Sequence, residues 1–328
     1  MLYVMNRKVT TAQFVYTFIM IMVFCSAGLA QTYFTGAIDN TITNAGNWDN
    51  GLPTSAGNVG VIGDGDAVST AAGQTYSGYY LLVTNGATWG GSGLSSATLS
   101  GGELTLDGGS IAPTRGLDPA GGAIWTIESG TFNTADSDLV LSGSGTTLNI
   151  NGGQLTGTAR GLTITAGTVL NMNGGQIGAS GAYTKFLGGN TTFSGNAGTA
   201  NFYGGDTYTT SFRGCHGSDI MEYNILGTSG SVNVGNISAY SAKILINFGP
   251  GALMPLSFSS WTNTWASDMW DADQLQYNGQ DKTAMGGIDW ATATSWNGLG
   301  DYSRFDFDGA TLVLVNEPPP SGTFLMLE

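Results

Sequence analysis

Hydrophobic and polar residues in the middle of the chain follow a pattern that repeats every 21 to 23 residues. Each copy reads apolar, polar, apolar, Asp/Glu/Asn, small, Gly, polar, apolar, and the copies are residues 104–111, 125–132, 148–155 and 170–177. A weaker copy at 200–207 follows after 30 residues, so an insertion must precede it. Alternating apolar residues share one face of a β-strand, and a Gly-Gly pair supplies the positive φ of a tight turn. Every copy is therefore predicted to form strand, turn and strand.

A unit of about 22 residues cannot bury its apolar face alone, but stacked units can. We therefore predict an all-β protein, with a right-handed parallel β-helix of six or seven rungs over residues 56–215. Equivalent side chains would lie about 4.8 Å apart. Asn149 would then stack with Asn171, and Asn151 with Asn173, as hydrogen-bonded ladders. The alternative is an irregular β-sandwich in which Gly-Gly turns recur by coincidence.

The ends of the repeat region have different compositions. Residues 31–55 are predicted to form an N-terminal cap, with Trp48 lying over the first rung and Pro53 ending the pairing. A sugar platform is the alternative function for Trp48. Residues 216–315 lack the Gly-Gly repeat and are predicted to form a separate, small β-sandwich-like module.

Five of the eight tryptophans fall within 36 residues of this C-terminal module: Trp261, Trp265, Trp270, Trp290 and Trp296. Exposed aromatic rings stack on sugar rings, so one hypothesis is a carbohydrate-binding face. The alternative is that the large rings fill the core of a small β module.

Residues 1–30 have the features of a signal peptide. Arg7 and Lys8 form a basic region, an apolar run of about twelve residues follows, and Gly28 and Ala30 precede a cleavage site at Gln31. Cleavage would leave seven basic and 23 acidic residues, a formal charge of −16, which repels nucleic acid. It would also leave one cysteine and hence no internal disulfide. We expect an exported protein.

Glycine makes up 53 of the 328 residues, without the three-residue period of collagen. The hydrophobic content of 41% argues against disorder. Many short strands joined by tight turns explain both values.

The sequence offers weak candidates for catalysis. Asp136 and Asp138 would lie on one face of a strand, about 6–7 Å apart. An inverting glycosidase needs two close carboxylates of this kind, but no second acidic pair recurs one rung away. His216 stands in a Gly-Cys-His-Gly segment that faintly resembles part of polygalacturonases, whose other motifs are missing. The basic residues that a lyase needs share no register, and in the predicted solenoid they are Arg115, Arg160, Lys185 and Arg213. We predict that the chain is not an enzyme.

Two Asp-x-Asp pairs are candidates for calcium ligands, the only cofactor that the sequence suggests. They are Asp64 with Asp66, and Asp306 with Asp308. The alternative is that these aspartates form turns at strand ends.

The end of the chain resembles that of PEP-CTERM exported proteins, which finish with a strand and a Pro-Glu-Pro-Ser/Thr box. Here residues 305–315 match the strand, and Glu317, Pro318 and Ser321 match the box, with Asn316 in place of its first proline. The resemblance implies a sorting protease of the exosortase type, a Gram-negative envelope or matrix, and a membrane anchor. We expect residues 316–328 to be a remnant of the sorting signal, with the anchor missing from this chain. The Gly-rich rungs are similar to autotransporter-type repeats.

These features favour a secreted or cell-surface structural or adhesive protein, whose partners would be extracellular polysaccharide or other surface proteins. A polysaccharide lyase or glycoside hydrolase on a β-helix is the second hypothesis. A carbohydrate-binding module without a structural role is the third.

Overall fold

The computed structural model describes residues 30–70, 73–91, 97–113, 117–134, 138–157, 161–184, 187–188, 198–215, 219–238, 244–260 and 264–318. Within them the parallel β-solenoid is confirmed, with a rung spacing near 23 residues. The predicted signal peptide lies outside the described residues, apart from Ala30, which begins the first strand.

Sheet 1 is a stack of parallel strands, one from each rung. Numbered along the chain, its strands are β1 (Ala30–Tyr33), β2 (Asn58–Ile62), β5 (Tyr80–Thr84), β8 (Glu103–Pro113), β10 (Ile124–Asn133), β12 (Thr147–Ile150), β15 (Val169–Met172), β18 (Thr199–Phe202), β20 (Met221–Ile225), β22 (Ile244–Phe248) and β24 (Leu275–Tyr277). Seven of them, β2 to β18, fall between residues 56 and 215, as predicted.

Sheet 2 lies around the next corner, and the long strands β8 and β10 bend from sheet 1 into it. Its other strands are β3 (Ala67–Thr70), β6 (Thr88–Gly91), β13 (Gln154–Thr156), β16 (Gln176–Ile177), β19 (Asp206–Arg213), β21 (Ser231–Ser238) and β23 (Leu256–Phe258). All of these pair in parallel.

The third wall is made of short parallel strands and is joined by the end of β19. Its strands are β4 (Thr75–Ser77), β7 (Ala97–Ser100), β9 (Leu117–Ala120), β11 (Leu139–Leu141), β14 (Leu162–Ile164) and β17 (Leu187–Gly188). Alternate side chains from all three walls fill one continuous apolar core.

The predicted registers are confirmed at each repeat. Leu104, Trp125, Leu148, Leu170 and Ala200 lie directly beside one another in sheet 1. Because the side-chain period of a strand is two, this register sends every aliphatic residue of the motif inward together.

The predicted asparagine ladder forms and is longer than expected. The Nδ2 of Asn171 donates to the Oδ1 of Asn149 at 2.9 Å, and Asn173 donates likewise to Asn151 at 2.8 Å. The first ladder continues through Asn201, Asn224 and Asn247 with bonds of 2.9 to 3.0 Å.

Glycines at the corner between sheets 1 and 2 form a column in which backbones touch. Gly153 has a φ of +63°, and a Cβ placed on it would lie 2.7 Å from the carbonyl oxygen of Gly130. Gly175 and Gly205 repeat this arrangement one rung later each. The glycines therefore provide the close approach between rungs as well as the turn.

The N-terminal segment adds β1 to sheet 1 and packs Trp48 over β2, the position predicted for this ring. Trp48 is buried, its Nε1 donates to the carbonyl oxygen of Ile42 at 2.8 Å, and its ring covers Gly60 of β2. The buried Asn47 side chain accepts from the backbone N–H groups of Ile38 and Asp39. A buried Trp48 is not a sugar platform.

The predicted boundary at residue 215 is wrong, because parallel pairing continues through β20, β22 and β24 in sheet 1 and through β21 and β23 in sheet 2. In place of a separate sandwich-like module, the last rungs carry a cap. It consists of helix α1 (Trp265–Asp271), the short helix α2 (Trp290–Ala293) and the hairpin β25 (Ser303–Phe307) and β26 (Thr311–Asn316), in which β26 pairs antiparallel with β23.

Candidate functional site

The five tryptophans do not form one exposed face. Trp265 and Trp270 are fully buried, and Trp290 is partly buried against the core. Trp296 is exposed, with 53% of its surface accessible. Trp261 lies outside the described residues. The predicted carbohydrate-binding face is therefore wrong for Trp265 and Trp270.

The buried tryptophans hold the cap on the last rungs. The ring of Trp265 makes an edge contact with Phe258 of β23 at 4.6 Å between ring centroids. Trp270 packs against Phe305 of β25 at 5.8 Å, and its Nε1 donates to the carbonyl oxygen of Ile288. These rings fill the space between the helices and the solenoid, as the alternative interpretation predicted.

Trp296 forms an exposed pair with Tyr302, in the loop between α2 and β25. The two ring centroids are 6.1 Å apart with an interplanar angle of 41°, and Tyr302 is 44% accessible. Two large rings at one surface position are the arrangement that stacks on the apolar face of a sugar. We call Trp296 and Tyr302 the aromatic pair.

The loop that carries the aromatic pair has an unusual backbone. Asn297, Asp301 and Tyr302 all have positive φ, of 57°, 50° and 62°. This conformation is uncommon for residues other than glycine and is an outlier for a bulky residue such as tyrosine. The Oδ1 of Asn297 accepts from the backbone N–H of Tyr302 at 2.7 Å and holds the loop closed. Such outliers cluster at functional sites.

Glu317 fixes the aromatic pair from the other side. Its backbone oxygen accepts from the Nε1 of Trp296 at 3.2 Å, and its N–H donates to the carbonyl oxygen of Tyr302 at 3.0 Å. Its carboxylate lies 3.5 Å from the guanidinium of Arg304. Glu317, predicted to belong to a sorting signal, is thus part of the folded cap. Pro318 is exposed, and Ser321 lies outside the described residues.

The surroundings of the aromatic pair are mostly acidic. Asp301 and Glu317 are exposed, while Arg304 also lies 3.8 Å from Asp306. Carboxylates accept hydrogen bonds and repel other anions. The site can therefore stack on a sugar ring and accept bonds from its hydroxyl groups.

The aspartates predicted as calcium ligands form turns. The Oδ2 of Asp66 accepts from the N–H of Gly63 at 2.8 Å, and Asp64 is exposed beside it. The Oδ1 of Asp308 accepts from the backbone N–H of Thr311 at 2.7 Å and from that of Ala310 at 2.8 Å, which lowers the pKa of Asp308.

Asp306 instead faces Arg304. Asp64 and Asp66 lie between β2 and β3, whereas Asp306 and Asp308 belong to the C-terminal hairpin, so the two pairs are separate. Among the described residues no three His, Cys, Asp or Glu side chains come together as metal ligands.

Of the catalytic candidates, Asp136 and His216 lie outside the described residues. The Oδ1 of Asp138 accepts from the N–H of Gly161 at 3.2 Å. Cys215 is buried, and burial raises the pKa of its thiol to about 11, which keeps it protonated.

Asp118, which the sequence did not single out, lies one rung before Asp138. Its Oδ1 accepts from the N–H of Val140 at 2.9 Å. The pKa of Asp118 is raised to about 7, mainly because the carboxyl is buried; the bond from Val140 lowers it and the charge of Asp138 raises it. A signal existed in the sequence, since a polar residue stands between the apolar Leu117 and Pro119 of a strand.

The fold and site define a capped β-solenoid with an exposed aromatic pair at its C-terminal end. No protein-family model, curated protein or solved structure matches this chain. Within the described ranges, no helix has both the length and the apolar character needed to cross a membrane.

Proposed function

We propose that this protein is an exported structural and adhesive protein that contacts extracellular polysaccharide through Trp296 and Tyr302. The observation that carries the proposal is the aromatic pair, two exposed rings held on a loop with three positive-φ residues. Aromatic rings that face solvent, with polar groups around them, are typical of surfaces that bind amphipathic ligands.

The solenoid would serve as a rigid shaft behind this surface. Each rung contacts the next through backbone bonds and the shared core, and the rungs from Asn149 to Asn247 are also joined by the asparagine ladder. Across the described strands, one rung could not move against the next without breaking these bonds.

Export would be consistent with this function. It is inferred from the predicted signal peptide and from the PEP-CTERM resemblance. The predicted location is the envelope or matrix of a Gram-negative-type bacterium, with an exosortase-type protease as a processing partner. A formal charge of −14 for the whole chain disfavours nucleic acid as a partner.

Asp118 and Asp138 support polysaccharide cleavage as the second candidate. A raised carboxyl pKa beside a second carboxylate is what general acid–base catalysis of glycoside hydrolysis uses. A reducing-sugar and unsaturated-uronide assay across common polysaccharides tests it. If the protein cleaves a polysaccharide and Asp138→Asn abolishes that cleavage, enzymatic activity becomes the leading proposal.

The adhesive function is tested by affinity electrophoresis of the protein through gels containing neutral polysaccharides. Trp296→Ala should weaken retardation at least about tenfold, since ring stacking supplies most of the contact. Trp296→Phe, which keeps a ring, should preserve much of it. The matched control is Tyr203→Ala. It removes an exposed ring at a Gly-Gly corner of an earlier rung, outside the loop of the aromatic pair. Equal retardation of Trp296→Ala and the wild type would disprove a role of the aromatic pair.

A further inference from the structure

A second surface feature lies on the wall of the solenoid, along the last rungs of sheet 2. It is an open groove of about 290 Å³ on β19, β21 and β23. Its lining residues are Tyr183, Thr210, Gly235, Asn236, Ser259 and Ser260. We call it the wall groove. None of its lining residues belongs to the aromatic pair or its loop.

The aromatic side of the wall groove is fixed in place. Tyr183 makes an edge contact with Tyr208, with ring centroids 5.7 Å apart and an interplanar angle of 88°. Tyr183 directly follows a tight turn in which Ala179 and Ala182 exchange backbone hydrogen bonds of 3.1 and 2.9 Å. The ring therefore stands on a rigid support, and little side-chain freedom would be lost on binding.

The floor of the wall groove is equally rigid, because its backbone belongs to the rungs. Ser259 donates its N–H to the carbonyl oxygen of Val234 at 2.9 Å, and Ser260 donates to that of Gly235 at 2.7 Å. The side chains of Asn236, Ser259 and Ser260 are exposed and make no hydrogen bond within the part of the chain that the structure describes. They are available to a ligand as donors and acceptors.

The chemistry of the wall groove points to one ligand class. The lining residues that the structure describes are all uncharged, so none of them can neutralise a uronate or a sulfate. The acidic protein repels polyanions in addition. An aromatic wall with hydroxyl and amide groups matches a neutral sugar, which has an apolar face and a rim of hydroxyl groups.

We propose that the wall groove is a second glycan-binding subsite, specific for neutral sugar residues, with Tyr183 as the stacking platform and Asn236, Ser259 and Ser260 as hydrogen-bonding partners. The solenoid wall would then bind polysaccharide itself as well as support the cap. Two subsites on one molecule would raise the avidity for a long chain beyond that of either one.

The test measures binding in the full-length mature protein carrying Trp296→Ala, so that the aromatic pair cannot contribute. Neutral gluco-, manno- and galacto-oligosaccharides are titrated calorimetrically, with oligogalacturonate as the anionic comparison. We expect binding of at least one neutral series and none of oligogalacturonate. Adding Tyr183→Ala should then weaken binding at least about tenfold. A double Asn236→Ala and Ser260→Ala variant should weaken it as well.

Tyr203→Ala in the same background is the control and should leave binding unchanged. Circular dichroism and the unfolding midpoint verify that each variant is folded. Absence of binding in the Trp296→Ala protein would disprove glycan binding by the wall groove. It would leave the proposal for the aromatic pair unaffected. Equal affinity with and without Tyr183, or equal binding of oligogalacturonate, would also overturn it.

Discussion

The Oδ1 of Asn247 accepts a hydrogen bond of 2.9 Å from the backbone N–H of Gly279, and this bond ends the asparagine ladder. From Asn171 onward each amide of the ladder donates to the asparagine of the rung before it, so the ladder is continuous from Asn149 to the C-terminal cap. A polar column on a solenoid wall is thus bonded from rung to rung and joined to the backbone at its end.

The ladder predicts that central asparagines matter more than terminal ones. Asn201→Ala would remove two side-chain bonds, one to Asn171 and one from Asn224. Asn149→Ala would remove only the bond from Asn171. At about 0.5–1.5 kcal/mol per bond, Asn201→Ala should cost roughly twice as much stability. Urea unfolding of the two variants measures the difference, and equal costs would show that the ladder does not couple the rungs.

The glycine column predicts a large cost for a single methyl group. Gly153→Ala would place a Cβ 2.7 Å from the carbonyl oxygen of Gly130 at a φ of +63°. We expect a loss of about 1–2 kcal/mol from the left-handed conformation and about 1–3 kcal/mol from overpacking. Gly65→Ala is the control, because Gly65 has a φ of +82° but open space around it. Thermal unfolding should show a clearly lower midpoint for Gly153→Ala, whereas equal midpoints would mean that the rungs separate readily.

Asp118 predicts an unusual dependence of stability on pH. Its pKa is raised from 3.8 to about 7, so the folded state binds its proton more tightly than the unfolded state. The stabilisation that the protonated Asp118 gives the folded state is therefore fully present below about pH 4 and is lost as the pH rises through about 7. The free energy of unfolding should fall by on the order of 4 kcal/mol over this range because of Asp118.

Asp118→Asn should remove this dependence, because the amide is neutral and still offers an acceptor to the N–H of Val140. Urea unfolding between pH 4 and pH 8 should show the variant to be more stable than the wild type at the alkaline end. Parallel curves for the two proteins would contradict the raised pKa.

Trp48 predicts that the N-terminal cap stabilises the whole stack. Trp48→Ala would empty the space above Gly60 and remove the bond to Ile42. Large aromatic truncations in a core cost about 3–5 kcal/mol. Trp48→Phe, which keeps most of the volume, should cost less, and guanidinium unfolding can rank the two. A cost below about 1 kcal/mol for Trp48→Ala would mean that the first rungs are stable without a cap.

The sequence was sufficient to predict the solenoid, its register and the start of the ladder, because each depends on a spacing that repeats. The end of the solenoid was missed since the Gly-Gly criterion stops at Gly205. Asn224 and Asn247 follow Asn201 at offsets of 23 residues each and would have extended the prediction.

The site was harder to predict, because it depends on conformation rather than on spacing. Trp265 and Trp296 are alike in sequence terms, yet one is covered by the hairpin and the other is exposed. Trp296 lies in the loop that contains the left-handed backbone of Tyr302, and no local pattern specifies that conformation. The pKa of Asp118 likewise depends on burial between rungs, which becomes visible only once the walls are assembled.

Sheet 2 ends in a hairpin whose inner strand, β26, runs against the strands before it. Its outer strand, β25, is five residues long and carries Arg304 and Asp306, charged residues that oppose pairing with another chain. At the end of sheet 2 a second molecule would meet this antiparallel hairpin in place of a parallel strand on which to continue the coil. The hairpin therefore disfavours end-to-end growth of a fibre through sheet 2.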